Sequence, residues 1–290
     1  MIYWLRHVTA YSYAQPVDLA AHLLHLKPRA LPGQRVLSAK LLCAPAPDHH
    51  AETHDHYGNV AARLFLTAPH TRFSLTAESL VEVEFPRPPA ATPAWEEVAA
   101  ARLSPEAAEF AFASPLIPML PEATAYARPS FPPGRPVLDG LLDLTRRIRQ
   151  DFAFQPGVTS ITTPISQVLR LRRGVCQDFT QVMIAALRGL GLPARYVSGY
   201  VRTRPPPGQP RRRGADQSHA WVQAWLGPGG PDGHRWAQLD PTNGLVVHDE
   251  HVVLAWGRDF SNISPLRGVL LGGGAHSLTV SVDLEPERPL

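Results

Sequence analysis

The sequence predicts an α+β protein, an N-terminal antiparallel β-domain followed by a unit in which helices precede an antiparallel sheet. Three observations carry this reading. Residues 2–85 hold short apolar and β-branched runs separated by turn signals. From residue 137 the apolar spacing becomes that of helices, and beyond residue 194 it returns to that of strands. Helices grouped ahead of strands, without alternation, indicate α+β packing rather than a parallel α/β sheet.

In the first part, "LSAKLLCA", "VAARLFLT" and "FSLTAESLVEVEF" read as strands. "DHYGNVAARLFL" places Gly58 and Asn59 where a tight hairpin needs positive φ. Residues 86–136 are proline-rich, with short helical patches around 94–112, and read as a connector packed on the surface. The chain thus divides into 1–85, 86–136 and 137–290, and its 290 residues suit two compact units.

Val137, Leu141, Leu144, Ile148 and Phe152 fall on one helical face. In "TTPISQVLRLRRG", Thr163 is the expected N-cap, Pro164 the first helical residue and Gly174 the stop. A third helix begins near Cys176. Val175, Phe179, Val182, Met183, Ala186, Leu187 and Leu190 form its stripe, and Gly191 and Pro193 end it. "ARYVSGYV", "SHAWVQAWL", "HRWAQLD" and, in the tail, "SLTVSVDLEP" read as strands.

Lys+Arg 28 against Asp+Glu 25 gives a net charge of +3, too small to argue for a nucleic-acid partner. The one dense basic run, Arg211 to Arg213, sits beside "RPPPGQP" and reads as a solvated loop. The N-terminus lacks the pattern of a secretion signal, and no run reaches the ~18 apolar residues of a membrane span. A cytoplasmic protein with no membrane segment is expected. Two cysteines make no disulfide framework.

Cys176 stands at the first turn of its helix, where unpaired N–H groups and the helix dipole favour a thiolate, the nucleophilic form. Asp178 opposes a second negative charge there, so a positive partner is required. Pairing Leu226 with Gly233 across the loop "GPGGPD" sets His219 directly opposite Asp240, Trp221 opposite Gln238 and Gln223 opposite Trp236. A one-residue slip would part the pair. Ala220, Val222, Ala224, Leu226, Ala237 and Leu239 then form an apolar face ready to receive a helix. In this arrangement Cys176 attacks a carbonyl, His219 holds and returns the proton, and Asp240 orients the imidazole.

The blocks "GVCQDFTQVMIAALRGLGLPARYVSGY", "SHAWVQAWL" and "WAQLDPTNG", in this order, resemble bacterial members of the transglutaminase-like superfamily. "TAYSYAQPV", "LKPR" and "DHYGN" resemble the family's N-terminal β-region, and "GRDFSNISPLRGVLLGG" its C-terminal extension. The resemblance implies a papain-like core, a triad of Cys176, His219 and Asp240, and Gln177, Asp178 and Asp259 as site-lining residues. It implies chemistry on peptide or protein amide bonds through a thioester, resolved by water or by an amine, with no cofactor or metal. Transglutaminases that crosslink proteins have a Trp upstream of the cysteine that helps stabilise the oxyanion; here the nearest is Trp95, 81 residues away. The Cys176 N–H is one expected oxyanion donor, the second is unassigned, and hydrolysis is favoured over transfer.

Other readings apply to other residues. Cys43, inside a strand, reads as an inert small hydrophobe. His49, His50, Glu52, His54, Asp55 and His56 invite a metal site, but the hairpin turn already accounts for much of the motif. Trp221, Trp225 and Trp236 read as packing or pocket walls. A binding module that kept the fold without the chemistry is the alternative of another class. The oligomeric state is open.

Overall fold

The computed structural model describes residues 1–203, 216–228 and 235–287. The Arg211–Arg213 run and Gly233 lie outside them. An N-terminal sheet is formed by β1 (Ile2–Leu24), β2 (Gln34–Ala44), β3 (His49–His54), β4 (Val60–Leu66) and β5 (His70–Val83), in the order β2-β5-β1-β4-β3. Short helices α1 (Trp95–Ala100), α2 (Pro105–Ala108) and α3 (Pro121–Ala127) follow. Next come α4 (Val137–Asp151), β6 (Ala153–Phe154), α5 (Ile165–Leu171), β7 (Arg173–Gly174) and α6 (Cys176–Gly189). The second sheet contains β8 (Ala194–Val201), β9 (Gln217–Trp225), β10 (Trp236–Asp240), β11 (Leu245–Val246) and β12 (His251–Gly257), ordered β11-β10-β9-β8-β12. The chain ends with β13 (Leu266–Gly272) and β14 (His276–Pro286).

The α+β architecture matches the expectation. The tail, however, does not stay with the core: β13 and β14 both run antiparallel to β1 and complete the N-terminal sheet. At 23 residues, β1 is long enough to pair with β14 along its first half and with β13 along its second. This pairing is invisible to local periodicity, since either sheet could accept an alternating strand.

The predicted helical face of α4 is buried, from Val137 through Ile148 to Phe152. Helix α6 goes further. Beyond its stripe, Thr180, Gln181, Ile184, Ala185 and Arg188 are also buried, because the five-stranded sheet covers one side and α3, α4 and α5 cover others. Arg188 is tolerated there by serving backbone carbonyls, with Nε donating to Phe110 O (2.9 Å) and Nη2 to Ala194 O (2.9 Å). Ala220, Val222, Ala224, Leu226, Ala237 and Leu239 form the helix-receiving face as expected.

The proline-rich connector is more than surface packing. Val98, Ala107, Ile117, Ala123, Ala127 and Phe131 are buried in the same cluster as α4 and α6, and Phe110 is buried edge-on against Trp236. They are separated by Pro and turns, so no period marks them in the sequence.

The two sheets are joined by side chains as well as by apolar packing. Gln34 Nε2 donates to Val253 O (2.8 Å), and Val253 N donates back to Gln34 Oε1 (2.7 Å). Asn59 makes the same exchange with Trp256: Nδ2 to its carbonyl (2.8 Å) and Oδ1 from its N–H (2.9 Å). Arg29 Nη1 also donates to Asn59 Oδ1. The motifs "LKPR" and "DHYGN" therefore fasten the N-terminal sheet to β12, the edge strand of the sheet that carries the candidate site. Gly58, at φ +73°, closes the hairpin as expected, and Asp55 Oδ1 caps it by accepting from the N–H groups of Tyr57 and Asn59 (both 2.9 Å).

Candidate active site

Cys176 is placed by a short, tightly specified approach. Helix α5 is capped by Pro164 rather than Thr163, whose hydroxyl instead accepts from the Ser160 N–H (2.8 Å). It ends at Arg172, which takes the left-handed conformation at φ +51°, rather than at Gly174. Gly174 bridges in parallel to Phe154, and α6 starts two residues later. The absence of a Cβ at Gly174 has a specific reason: one placed there would lie 2.5 Å from Asp178 Oδ2. Asp178 occupies that space because its Oδ2 accepts the Val175 N–H (2.8 Å) and the Thr159 hydroxyl (2.7 Å). The carboxyl thus caps the helix that presents Cys176. Burial raises the Asp178 pKa, and these two hydrogen bonds lower it.

Gly174→Ala is expected to lose about 1–3 kcal/mol in urea unfolding, as Asp178 is forced off its cap. An unchanged midpoint and slope would show that the cap does not need that space.

The hairpin register differs from the sequence expectation by two residues. Trp236 pairs with Trp225 and Gln238 with Gln223, so Asp240 is diagonal to His219 rather than directly opposite. A shift of two keeps every side chain on its face, which is why the two groups still meet. The His219 Nε2 donates to Asp240 Oδ2 at 2.8 Å. Nδ1 is the ring nitrogen left over, and Cys176 is the second neighbour that raises the pKa of the ring.

Asp240 is fully buried and densely satisfied. Its Oδ1 accepts from the N–H groups of Thr242 (2.9 Å) and Asn243 (3.1 Å). Oδ2 accepts from His219, from Asn243 Nδ2 (2.6 Å) and from His251 Nε2 (3.1 Å). Burial alone would raise the Asp240 pKa; the hydrogen bonds and charge of His219 and His251 outweigh it and hold the carboxyl below the usual carboxylate range. For His219 burial acts to lower the pKa, but Asp240 and then Cys176 raise it, to about 10. Both neighbours thus favour a proton on the ring.

His251 is the residue that sequence reasoning missed. It lies on β12, away from the recognised blocks, and only the pairing of β12 with β8 brings it to Asp240. Burial is the main cause that lowers its pKa, so it serves as a neutral donor, packed edge-on against Trp221 with ring centroids 5.2 Å apart. Tyr196 on β8 is a second such residue: burial, then Cys176, Asp178 and Asp259 in turn, raises its pKa and keeps its hydroxyl protonated.

The remaining expected residues are distributed differently. Trp221 is fully buried, with its indole N–H donated to Gln238 Oε1 (3.1 Å), so it backs the imidazole and does not line an open pocket. Gln177 is partly exposed beside Cys176. Asp259 is buried and spends its oxygens on the N–H groups of Leu116 (2.9 Å) and Ser261 (2.8 Å), a tie between two loops. Trp95 donates its indole N–H to Pro132 O (3.0 Å). The histidines of 49–56 are not gathered: His50 faces Glu52 (3.3 Å), while His56 faces Glu109 (3.1 Å). Among the described residues, the metal-ligand types that cluster are His219, Asp240 and His251. Their hydrogen bonds to one another already account for that grouping.

A helix that starts with a cysteine, set beside a sheet that carries a His–Asp pair, defines the papain-like class of fold. Comparison with known proteins gives the family. Residues 3–82 match the bacterial transglutaminase-like N-terminal region, and residues 125–241 match the transglutaminase-like superfamily. An uncharacterized protein of Mycobacterium tuberculosis is 40% identical over 295 residues, covering 98% of this chain and 92% of the relative. An uncharacterized protein of Mycobacterium leprae is 29% identical over 284 residues, covering 96% of each. A crystal structure from Cytophaga hutchinsonii, described as a candidate cysteine protease, superposes with a TM-score of 0.75 at 21% identity, over 100% of this chain and 92% of that one. The chain belongs to the transglutaminase-like superfamily. Among the described residues no helix is long and apolar enough to cross a membrane.

Proposed function

We propose that this protein is a thiol-dependent amidase or peptidase in which Cys176, His219 and Asp240 form the catalytic triad. The observation that carries the reading is the His219 imidazole, bonded to Asp240 through Nε2 and with Cys176 among the groups that raise its pKa. The Cys176 proton passes to Nδ1 of His219, and the thiolate adds to an amide carbonyl. Collapse of the adduct expels the amine, which takes the proton from His219, and leaves a thioester on Cys176. Water then attacks the thioester while His219 accepts its proton, and the acid leaves as the thiol re-forms. The backbone N–H of Cys176, at the start of α6, supports one face of the oxyanion.

Hydrolysis is the favoured second half-reaction, because Trp95 is committed to Pro132 O and supplies no indole N–H to an oxyanion at Cys176. The reading places the enzyme in the cytoplasm, where reducing conditions keep the thiol available. Incubation with a glutamine-peptide library, with and without a primary amine, tests it. Cleaved or deamidated peptides unaffected by the amine are expected. Amine incorporation would replace hydrolysis by acyl transfer, and no Cys176-dependent product would leave a non-catalytic binding module.

His251 enters this reading as a positioning residue. His251→Phe removes one of three donors from Asp240 Oδ2 and is expected to cost about 1–3 kcal/mol of stability. It is also expected to shift the pH profile of Cys176 alkylation, and His251→Gln to restore part of that profile. Wild-type profiles in both variants would show that His251 only fills space.

A further inference from the structure

The face of the five-stranded sheet opposite α6 holds a cavity that this chemistry does not use. It lies between β8, β9, β10 and β12 and the segment 85–89 that leaves β5, and its volume is about 130 Å³. Arg87, Arg195 and Arg235 line it, and no aspartate or glutamate does.

Arg195 is the unusual member. Only 9% of it is exposed, yet no carboxylate among the described residues pairs with it. Its Nε donates to Gln223 Oε1 (2.6 Å). The guanidinium carbon lies 4.2 Å from the ring centre of Trp236 and 3.8 Å from that of Trp256. Indole rings stabilise the cation through its faces and leave its edge unused. That edge carries the terminal N–H donors, in the fork that matches a carboxylate or phosphate. No acceptor for them lies among the described residues. Arg29 stacks on the same Trp256 at 3.3 Å and adds a second positive charge. Burial and Arg29 both lower the Arg195 pKa, against an opposing effect of Glu106.

We propose that this cavity is a binding site for a small anion, a carboxylate or phosphate group, held by the Arg195 fork with Arg87 and Arg235 at its mouth. Three cations without a lining acid repel one another, and an anion relieves that repulsion. Gln223 is four residues from His219 along β9, about 13 Å at the rise of a strand. The buried Trp221 stands between them. Occupancy is therefore separate from the reaction at Cys176. The volume suits a group of a few heavy atoms and not a peptide segment.

Calorimetric titration tests the proposal, with inorganic phosphate in one arm and succinate in the other, at fixed ionic strength set with chloride. One-site saturable binding in either arm or both is expected, and the responding arm tells phosphate from carboxylate. Arg195→Met is expected to weaken it about tenfold or more, the loss of one charge-assisted contact. The exposed pair Arg87→Gln with Arg235→Gln is expected to weaken it with the circular dichroism unchanged. The double variant decides the matter if Arg195→Met does not fold. No saturable heat with either anion, or equal affinity in the wild type and the double variant, overturns the proposal.

Discussion

Iodoacetamide at neutral pH is expected to modify Cys176 far faster than Cys43, and faster than a free-cysteine peptide. The two thiols differ in every physical respect that governs reactivity. Cys43 sits inside β2, donates to Pro45 O (3.2 Å), and burial pushes its thiol up to about 11. Cys176 sits partly exposed at a helix start, with the His219 ring as its partner. A general base beside the sulfur and access from solvent both favour its attack on the reagent. His219→Ala removes that partner and is expected to slow the labelling of Cys176 and to lower amide turnover by about 10²–10⁴-fold. Cys176→Ala should abolish the turnover and leave the fold intact, since the residue is only partly buried. Equal labelling of both cysteines, or a His219→Ala protein that reacts like the wild type, would remove the basis for the proposed nucleophile. Mass spectrometry of peptides after timed labelling reads all of these outcomes.

Asp240 is expected to give the largest combined effect on stability and activity. It accepts five hydrogen bonds with no exposure to solvent. Asp240→Ala strands two histidine N–H groups and the Asn243 amide in a dry interior, at an expected cost of about 3–5 kcal/mol. Asp240→Asn keeps the shape but offers His219 the wrong partner, and turnover should fall about 10⁴-fold with a smaller loss of stability.

The same group sets a pH dependence whose sign follows from the two shifts. The folded Asp240 pKa lies below its ordinary 3.8, so its contribution is present above that pH and is lost as pH falls through the depressed value. The folded His219 pKa lies above its ordinary 6.5, so its contribution is complete below 6.5 and is lost as pH rises towards about 10. The pair therefore stabilises most between about pH 4 and 6.5, and Asp240→Asn should flatten both flanks of the stability curve. Thermal unfolding from pH 3 to 10 checks this, and parallel curves for both proteins would contradict it.

Much of this site was legible before any tertiary structure. The Cys176 turn, the α6 stripe and the alternation of β9 and β10 are local patterns, set by residues within a few positions of one another. The His219–Asp240 meeting was legible for a subtler reason. The expected register was wrong by two residues, and the face of a strand side chain depends only on whether the shift is odd or even. The same cannot be said of Trp221, whose position on that face was correct but whose complete burial came from Val197, Val247 and Val253 on neighbouring elements.

Other features had no local signal at all. "LKPR" and "DHYGN" were recognisable as strings, yet the reason for Arg29 and Asn59 is a contact with Trp256, some 200 positions along the chain. The connector's Ile117 and Phe131 read as surface until α6 and α4 closed over them.

By itself, the sequence determined the α+β class, the place of Cys176 at a helix start, and the face shared by His219 and Asp240. All three follow from spacings within one helix or one hairpin. The tertiary structure alone decided that β13 and β14 join the first sheet, that His251 reaches Asp240, and that Arg195 lies between two indoles. Each of those depends on pairing between strands far apart in the chain, where solvent exclusion and available hydrogen-bond partners choose among arrangements that local patterns leave equivalent.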